Sequence, residues 1–255
     1  MLKNNDLYSF YAIFKRDLVN IVLNPVLLIS NTLFPFVLVM LLSYLTSGSY
    51  GSGGVTAYDY YAVTILIYAV LNTAMTASNS FMEKSLKTSN LRIMYAPIKL
   101  SHIYMAKIVA TFIFTSVCFL GYIIFFNLVF GVNFGGENLI YVILIVLFMN
   151  LLSSVTGVFF CCVFKSEELT NKIISVVINV FAILGSLFFR LDGLGPAAER
   201  ISFISPAKWA AEAIFRIIYD SDFSLFIPGI LMLLMASVAL LIGCKITFKV
   251  EDYVY

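Results

Sequence analysis

Apolar runs of about twenty residues recur along this chain, at about 25–46, 58–80, 107–130, 138–164, 169–189 and 225–244. That is the length an α-helix needs to cross the hydrocarbon of a bilayer, where the backbone must satisfy its own hydrogen bonds. The pattern predicts an all-α integral membrane protein with six transmembrane helices, forming a single transmembrane domain over residues 1–255. Composition agrees. The chain is 61% hydrophobic and 12% charged, with a mean hydropathy of +0.98, where soluble chains carry about 25% charge.

The polar segments between the runs set the orientation. With both termini cytoplasmic, twelve Lys and Arg fall in inner segments and four (Arg190, Arg200, Lys208 and Arg216) in outer ones. That is the bias of the positive-inside rule. The richest inner segment is the loop 81–106, which holds Glu83, Lys84, Lys87, Arg92 and Lys99, with Lys107 at its end. Leu86, Ile93, Met94 and Ile98 give a short helix there an apolar side, and Pro97 stops it. Such a basic, amphipathic cytoplasmic helix reads as a docking site for a soluble partner.

Before the first run, Leu7, Phe10, Tyr11, Phe14, Leu18 and Ile21 recur at helical spacing, with Lys15, Arg16 and Asp17 off that stripe. This predicts an amphipathic interfacial helix over 7–22. Pro25 after Asn24 starts the first span, and Pro35 is expected to kink it. Tyr61, Tyr68, Asn72, Thr76 and Asn79 form a polar stripe on the second span. Thr111, Thr115, Cys118 and Tyr122 share a face of the third. Asn150, Ser153, Ser154 and Gly157 cluster on the fourth, where small residues allow close helix contact. Ser175, Asn179 and Ser186 share a face of the fifth. The polar stripe either bonds helix to helix or lines a path, and spacing does not separate the two.

The outer segment 190–224 is too charged to span and too apolar for a free loop. It is expected to form a pair of short re-entrant helices before the last span. Ser205 is placed to cap the second, Pro206 to occupy its first position, Glu212 and Arg216 to pair, and Trp209 to sit at the interface.

Several chemistries lack their motifs. There is no Gly-x-x-x-x-Gly-Lys phosphate loop, no HExxH and no GxSxG. No catalytic residue or metal site is predicted. His102, the only histidine, reads as a solvated loop residue, and the four cysteines as small buried hydrophobes. No acid or base is expected deep within a span, so driving energy must come from elsewhere or not be used at all.

The ordered features resemble the membrane subunit of type-2 ABC exporters. They are a surface helix ending at Asn24-Pro25, six spans, a basic first inner loop with Glu83-Lys84 and Pro97, and Ile204-Ser205-Pro206 before Trp209. Thr88-Ser89-Asn90-Leu91-Arg92 stands where that family commonly has a glycine. The resemblance implies that two cytoplasmic ATPase subunits, holding ATP and Mg, dock on a coupling helix whose contacts here would be Glu83, Lys84, Lys87, Arg92 and Pro97. It implies a second permease copy or a related permease in the plasma membrane of a bacterium, surrounded by lipid and without nucleic acid. It places the translocation path at Asn31, Tyr68, Asn72 and Asn179 and an outer gate at Ser205, Pro206 and Trp209. The expected cargo is an amphipathic drug or peptide. A lipid-linked cell-envelope polymer and a non-transporting membrane scaffold or sensor are the alternatives.

Overall fold

The computed structural model of the protein describes residues 2–48, 55–82, 98–188 and 200–249. Among these residues the protein is an all-α integral membrane protein with no strand. Five of the expected spans are helices long and apolar enough to cross a bilayer. They are Pro25–Thr46, Ala57–Met82, Leu100–Phe130, Gly136–Phe164 and Phe226–Thr247.

The first helix, α1 (Leu2–Leu23), lies along the start of α5 (Leu100–Phe130). Its buried stripe is Ile13, Asp17 and Ile21, with Phe10, Phe14 and Leu18 half-buried beside it, while Leu7 and Tyr11 are exposed. The sequence stripe is therefore rotated. Asp17, expected on the polar side, faces the protein because it has a partner there. The helix stops at Asn24, whose backbone is extended and whose Oδ1 accepts from the N–H groups of Val26 (3.1 Å) and Leu27 (3.3 Å). Pro25 takes the next position, where no N–H is required.

The first span is in two pieces, α2 (Pro25–Asn31) and α3 (Leu33–Thr46). The break is at Thr32, with φ −119° and ψ −76°, and not at Pro35. A proline ring collides with the carbonyl four residues back, which here is that of Asn31, so the distortion appears upstream. The Thr32 hydroxyl donates to the Leu28 carbonyl at 2.7 Å and adds to the local bend.

The bundle is organised around α4 (Ala57–Met82), which packs against α3, α5, α6 (Leu139–Phe164) and α7 (Glu167–Leu184). Lipid offers no hydrophobic drive between helices, so this packing depends on close approach. Gly157 of α6 provides it. A Cβ there would run into the carbonyl of Ala74 and come within 2.8 Å of the Ala77 Cβ. Asn150 fastens α6 to α5, donating to Ser116 Oγ (2.9 Å) and the Phe112 carbonyl (3.2 Å) and accepting from Thr115 Oγ1 (3.0 Å). Tyr122 of α5 donates to the Ala62 carbonyl of α4 at 2.9 Å.

Several boundaries differ from those expected. The second span continues through Met82, and α5 begins at Leu100, seven residues before the expected third span. His102 is therefore helical and meets the Phe10 ring edge-on, with centroids 6.0 Å apart. It is not a solvated loop residue. Lys107, expected at the loop's end, lies inside α5. The expected fifth span 169–189 is the 18-residue α7, opened by a Ser166 cap with Glu167 and Glu168 in its first turn, where carboxylates suit the helix dipole. Ser186 lies past its end at φ 58°, off the face it was expected to share with Asn179. Beyond it, α8 (Pro206–Phe215), continued by a π turn (Arg216–Asp220), packs on α4, α6, α7 and α9 (Phe226–Thr247). The rest of the expected outer pair falls largely on residues 189–199, outside the described residues.

Candidate functional site

Between Tyr60 and Phe81 the helix α4 is buried except at Tyr68, Asn72, Met75 and Asn79, which are half-buried. Their spacing of three and four residues puts them on one face. That face borders a cavity of about 230 Å³ whose other wall is the broken first span. Val26, Leu27, Phe34, Pro35 and Leu38 supply apolar surface, and Ser30, Asn31 and Thr76 supply polar atoms. None of the described lining residues is charged.

Three of the four expected path residues meet here. Asn31 is buried, and its Nδ2 donates to the Leu27 carbonyl (2.8 Å) and to Thr76 Oγ1 (2.9 Å), which ties α2 to α4. Asn72 Nδ2 donates to the Tyr68 carbonyl within its own helix at 2.8 Å. Among the described residues its amide makes no hydrogen bond to a neighbouring helix, and it lines the cavity. The Tyr68 ring stands against Phe188, with centroids 5.0 Å apart. Asn179 does not join them. It is exposed on α7, with Nδ2 turned to the Ser175 carbonyl at 2.8 Å. Thr76 and Ser30 were not singled out for the path. Thr76 was visible in the α4 polar stripe, whereas Ser30 carried no signal. Asn79 accepts from Asn171 Nδ2 at 2.7 Å and links α4 to α7 at one end of the same face.

A second feature was hidden from the sequence. Lys107 Nζ lies 3.3 Å from Asp17 Oδ1 and donates to the Ser80 carbonyl at 2.8 Å. The two side chains are 0% and 2% exposed. This buried acid–base pair lies near the inner ends of the spans. It joins α1, α4 and α5 just before residue 83. A buried charge persists only when paired, and each member here accounts for the other.

At the opposite end of α4, the expected outer gate is built as a capped helix. Ser205 is buried with extended backbone. Its Oγ accepts from the Ala207 N–H (3.2 Å) and donates to the Phe181 carbonyl (2.8 Å), which fastens α8 to α7. Pro206 occupies the first helical position. Trp209 Nε1 donates to the Phe203 carbonyl at 2.8 Å. Along α8, Arg216 bonds Glu212 at 2.6 Å and Asp222 at 3.4 Å, and Lys208 lies 3.6 Å from Glu212. Hydrogen bonds from the Ser224 N–H and hydroxyl hold the Asp222 carboxyl below the usual carboxylate range.

The expected coupling residues Glu83, Lys84, Lys87, Arg92 and Pro97 lie outside the described residues. So does the short helix expected around them. Among the described residues no group of three or more His, Cys, Asp or Glu could hold a metal ion.

The model of the ABC-2 type transporter family matches residues 8–219, from α1 through the π turn after α8. No curated protein is a significant match to the chain. The match accounts for the architecture above: a multi-pass transmembrane component without ATPase activity of its own, which works with ABC ATPase subunits. With most of its length covered by that model, the chain belongs to the ABC-2 type transporter family.

Proposed function

We propose that this permease works as one half of an ATP-driven exporter for amphipathic drugs or peptides, in a bacterial plasma membrane. The cavity beside α4 is the observation that carries the reading. Its apolar wall is interrupted by amides and hydroxyls, and its described lining carries no charge. Such a surface suits a guest that is mostly apolar with a few hydrogen-bonding groups. A strongly acidic polymer would call for Lys or Arg along it.

ATP binding in two ATPase subunits would reach the spans through residues 83–97. Movement of α2 and α3 against α4 would open and close the cavity, with Thr32 as the joint. A second copy of the chain, or a related permease, would complete the path. Ser205, Pro206 and Trp209 would hold the outer exit.

The test is reconstitution with the partner ATPase in lipid, measuring ATP hydrolysis as candidate cargos are added. Stimulation by amphipathic peptides or drugs, weakened several-fold in half-saturating concentration by Asn72→Leu, is the expected result. Stimulation by a lipid-linked sugar alone would replace this cargo with an envelope polymer. No stimulation by anything, with vesicles that accumulate nothing, would make the chain a membrane scaffold. Glu83→Ala should uncouple hydrolysis from transport while leaving insertion intact.

A further inference from the structure

A second, larger cavity of about 460 Å³ lies between the start of α4, the end of α7 and α8. It falls within the range of about 300–1,000 Å³ typical of small-molecule sites. One wall is a ladder of parallel rings. Tyr60 stacks on Phe215 at 5.6 Å and 13°, and Phe215 on Tyr219 at 6.2 Å and 20°. The Tyr60 hydroxyl donates to the Ser186 carbonyl at 2.7 Å, which fixes the first rung.

Two buried hydroxyls behind this wall have no hydrogen-bond partner among the described residues. They are Thr64 Oγ1, on a residue with no exposure, and Ser186 Oγ. Buried hydroxyls are ordinarily bonded, so these two mark polar groups left unmet in the packing behind the wall. Ser186 is also held at φ 58°, a left-handed conformation that a serine adopts only under constraint.

The charge balance gives the sign of that guest. Both cations on the wall are engaged, Lys208 by Glu212 and Arg216 by Glu212 and Asp222. Asp220 lines the cavity, is exposed, and makes no ion pair among the described residues. Asp59 lies nearby at the start of α4, its carboxylate accepting from Thr56 and from the Asn133 N–H. The outer face of Tyr219, the terminal ring of the stack, beside the unpaired Asp220 carboxylate attracts an organic cation, through ring quadrupole and charge together.

The geometry points to a binding site for a lipophilic organic cation, with its ammonium-like centre between Tyr219 and Asp220 and its apolar body against Tyr60 and Phe215. This deepens the exporter reading, on which it rests, by giving the amphipathic cargo a positive charge and a holding place at the end of the bundle away from residues 83–97.

The experiment is equilibrium binding of labelled tetraphenylphosphonium to the full chain in lipid nanodiscs, with empty nanodiscs subtracted. Tetraphenylborate, of the same shape and opposite charge, is the comparison. Saturable binding of the cation and none of the anion is expected. Asp220→Asn and Tyr219→Ala change exposed residues and should each weaken binding by about fivefold or more. Equal binding of both ions, or cation binding untouched by both exposed variants, overturns the site. The measurement omits the ATPase, so its failure is separate from failure of the exporter reading. Peptide- or drug-stimulated ATP hydrolysis by the complete transporter would still stand if this site were empty.

Discussion

Replacing Gly157 by alanine tests the claim that close approach of α4 and α6 holds the bundle. The added Cβ would collide with the Ala74 carbonyl and stand 2.8 Å from the Ala77 Cβ. Carbon atoms pack best at about 3.5–4.0 Å, so the helices must part by about 1 Å. The obstructing atoms belong to backbone and a Cβ, which cannot swing aside. Overpacking of this kind costs about 1–3 kcal/mol. For a chain of this length each kcal/mol moves the midpoint by about 2–4 °C, so apparent Tm should fall by roughly 2–12 °C. Gly121→Ala is the control, because a Cβ there meets nothing within 4 Å. It should raise stability by up to about 1 kcal/mol through the helix preference of alanine. Thermal unfolding in lipid nanodiscs, followed by circular dichroism, reads both. A Gly157→Ala chain as stable as the parent, with Gly121→Ala behaving as stated, would refute the packing argument.

Lys107→Met or Asp17→Asn alone should destabilise by about 3–5 kcal/mol, because each strands a buried charge. The double variant should recover most of that loss in the same unfolding assay. Ser205→Ala removes the α8 cap and its bond to the Phe181 carbonyl, and should cost roughly 1–2 kcal/mol. A shift in Trp209 emission, from the chain's single tryptophan, would report the loosened α8 before global unfolding.

The architecture was legible because bilayer crossing leaves a coarse signature in twenty-residue apolar runs. The Asn24-Pro25 start and the Ser205-Pro206 cap were legible because each is a local bargain between neighbouring residues. The cavity beside α4 was only partly so. Tyr68, Asn72 and Thr76 share a helical face that spacing reveals, and Asn31 joins them through its bond to Thr76. Asn179 has the same residue type on a similar pattern, yet α7 turns it outward. A polar residue on a membrane helix announces that it needs a partner, and its own helix can supply one. The rotation of α1 was illegible for a related reason. Asp17 reads as surface until Lys107, ninety residues later, is placed beside it. A lone Pro35 likewise marks a bend without saying that Thr32 absorbs it.

The Asp17–Lys107 pair also orders events during synthesis. Asp17 leaves the ribosome ninety residues ahead of Lys107, so α1 must wait at the membrane until α5 arrives. A nascent chain stalled between them carries a carboxylate with no counter-charge. One whose α1 is displaced carries a lysine the bundle cannot hide. The seat of α1 on the bundle therefore depends on completion of the third span, because its buried carboxylate is paired by a residue of α5.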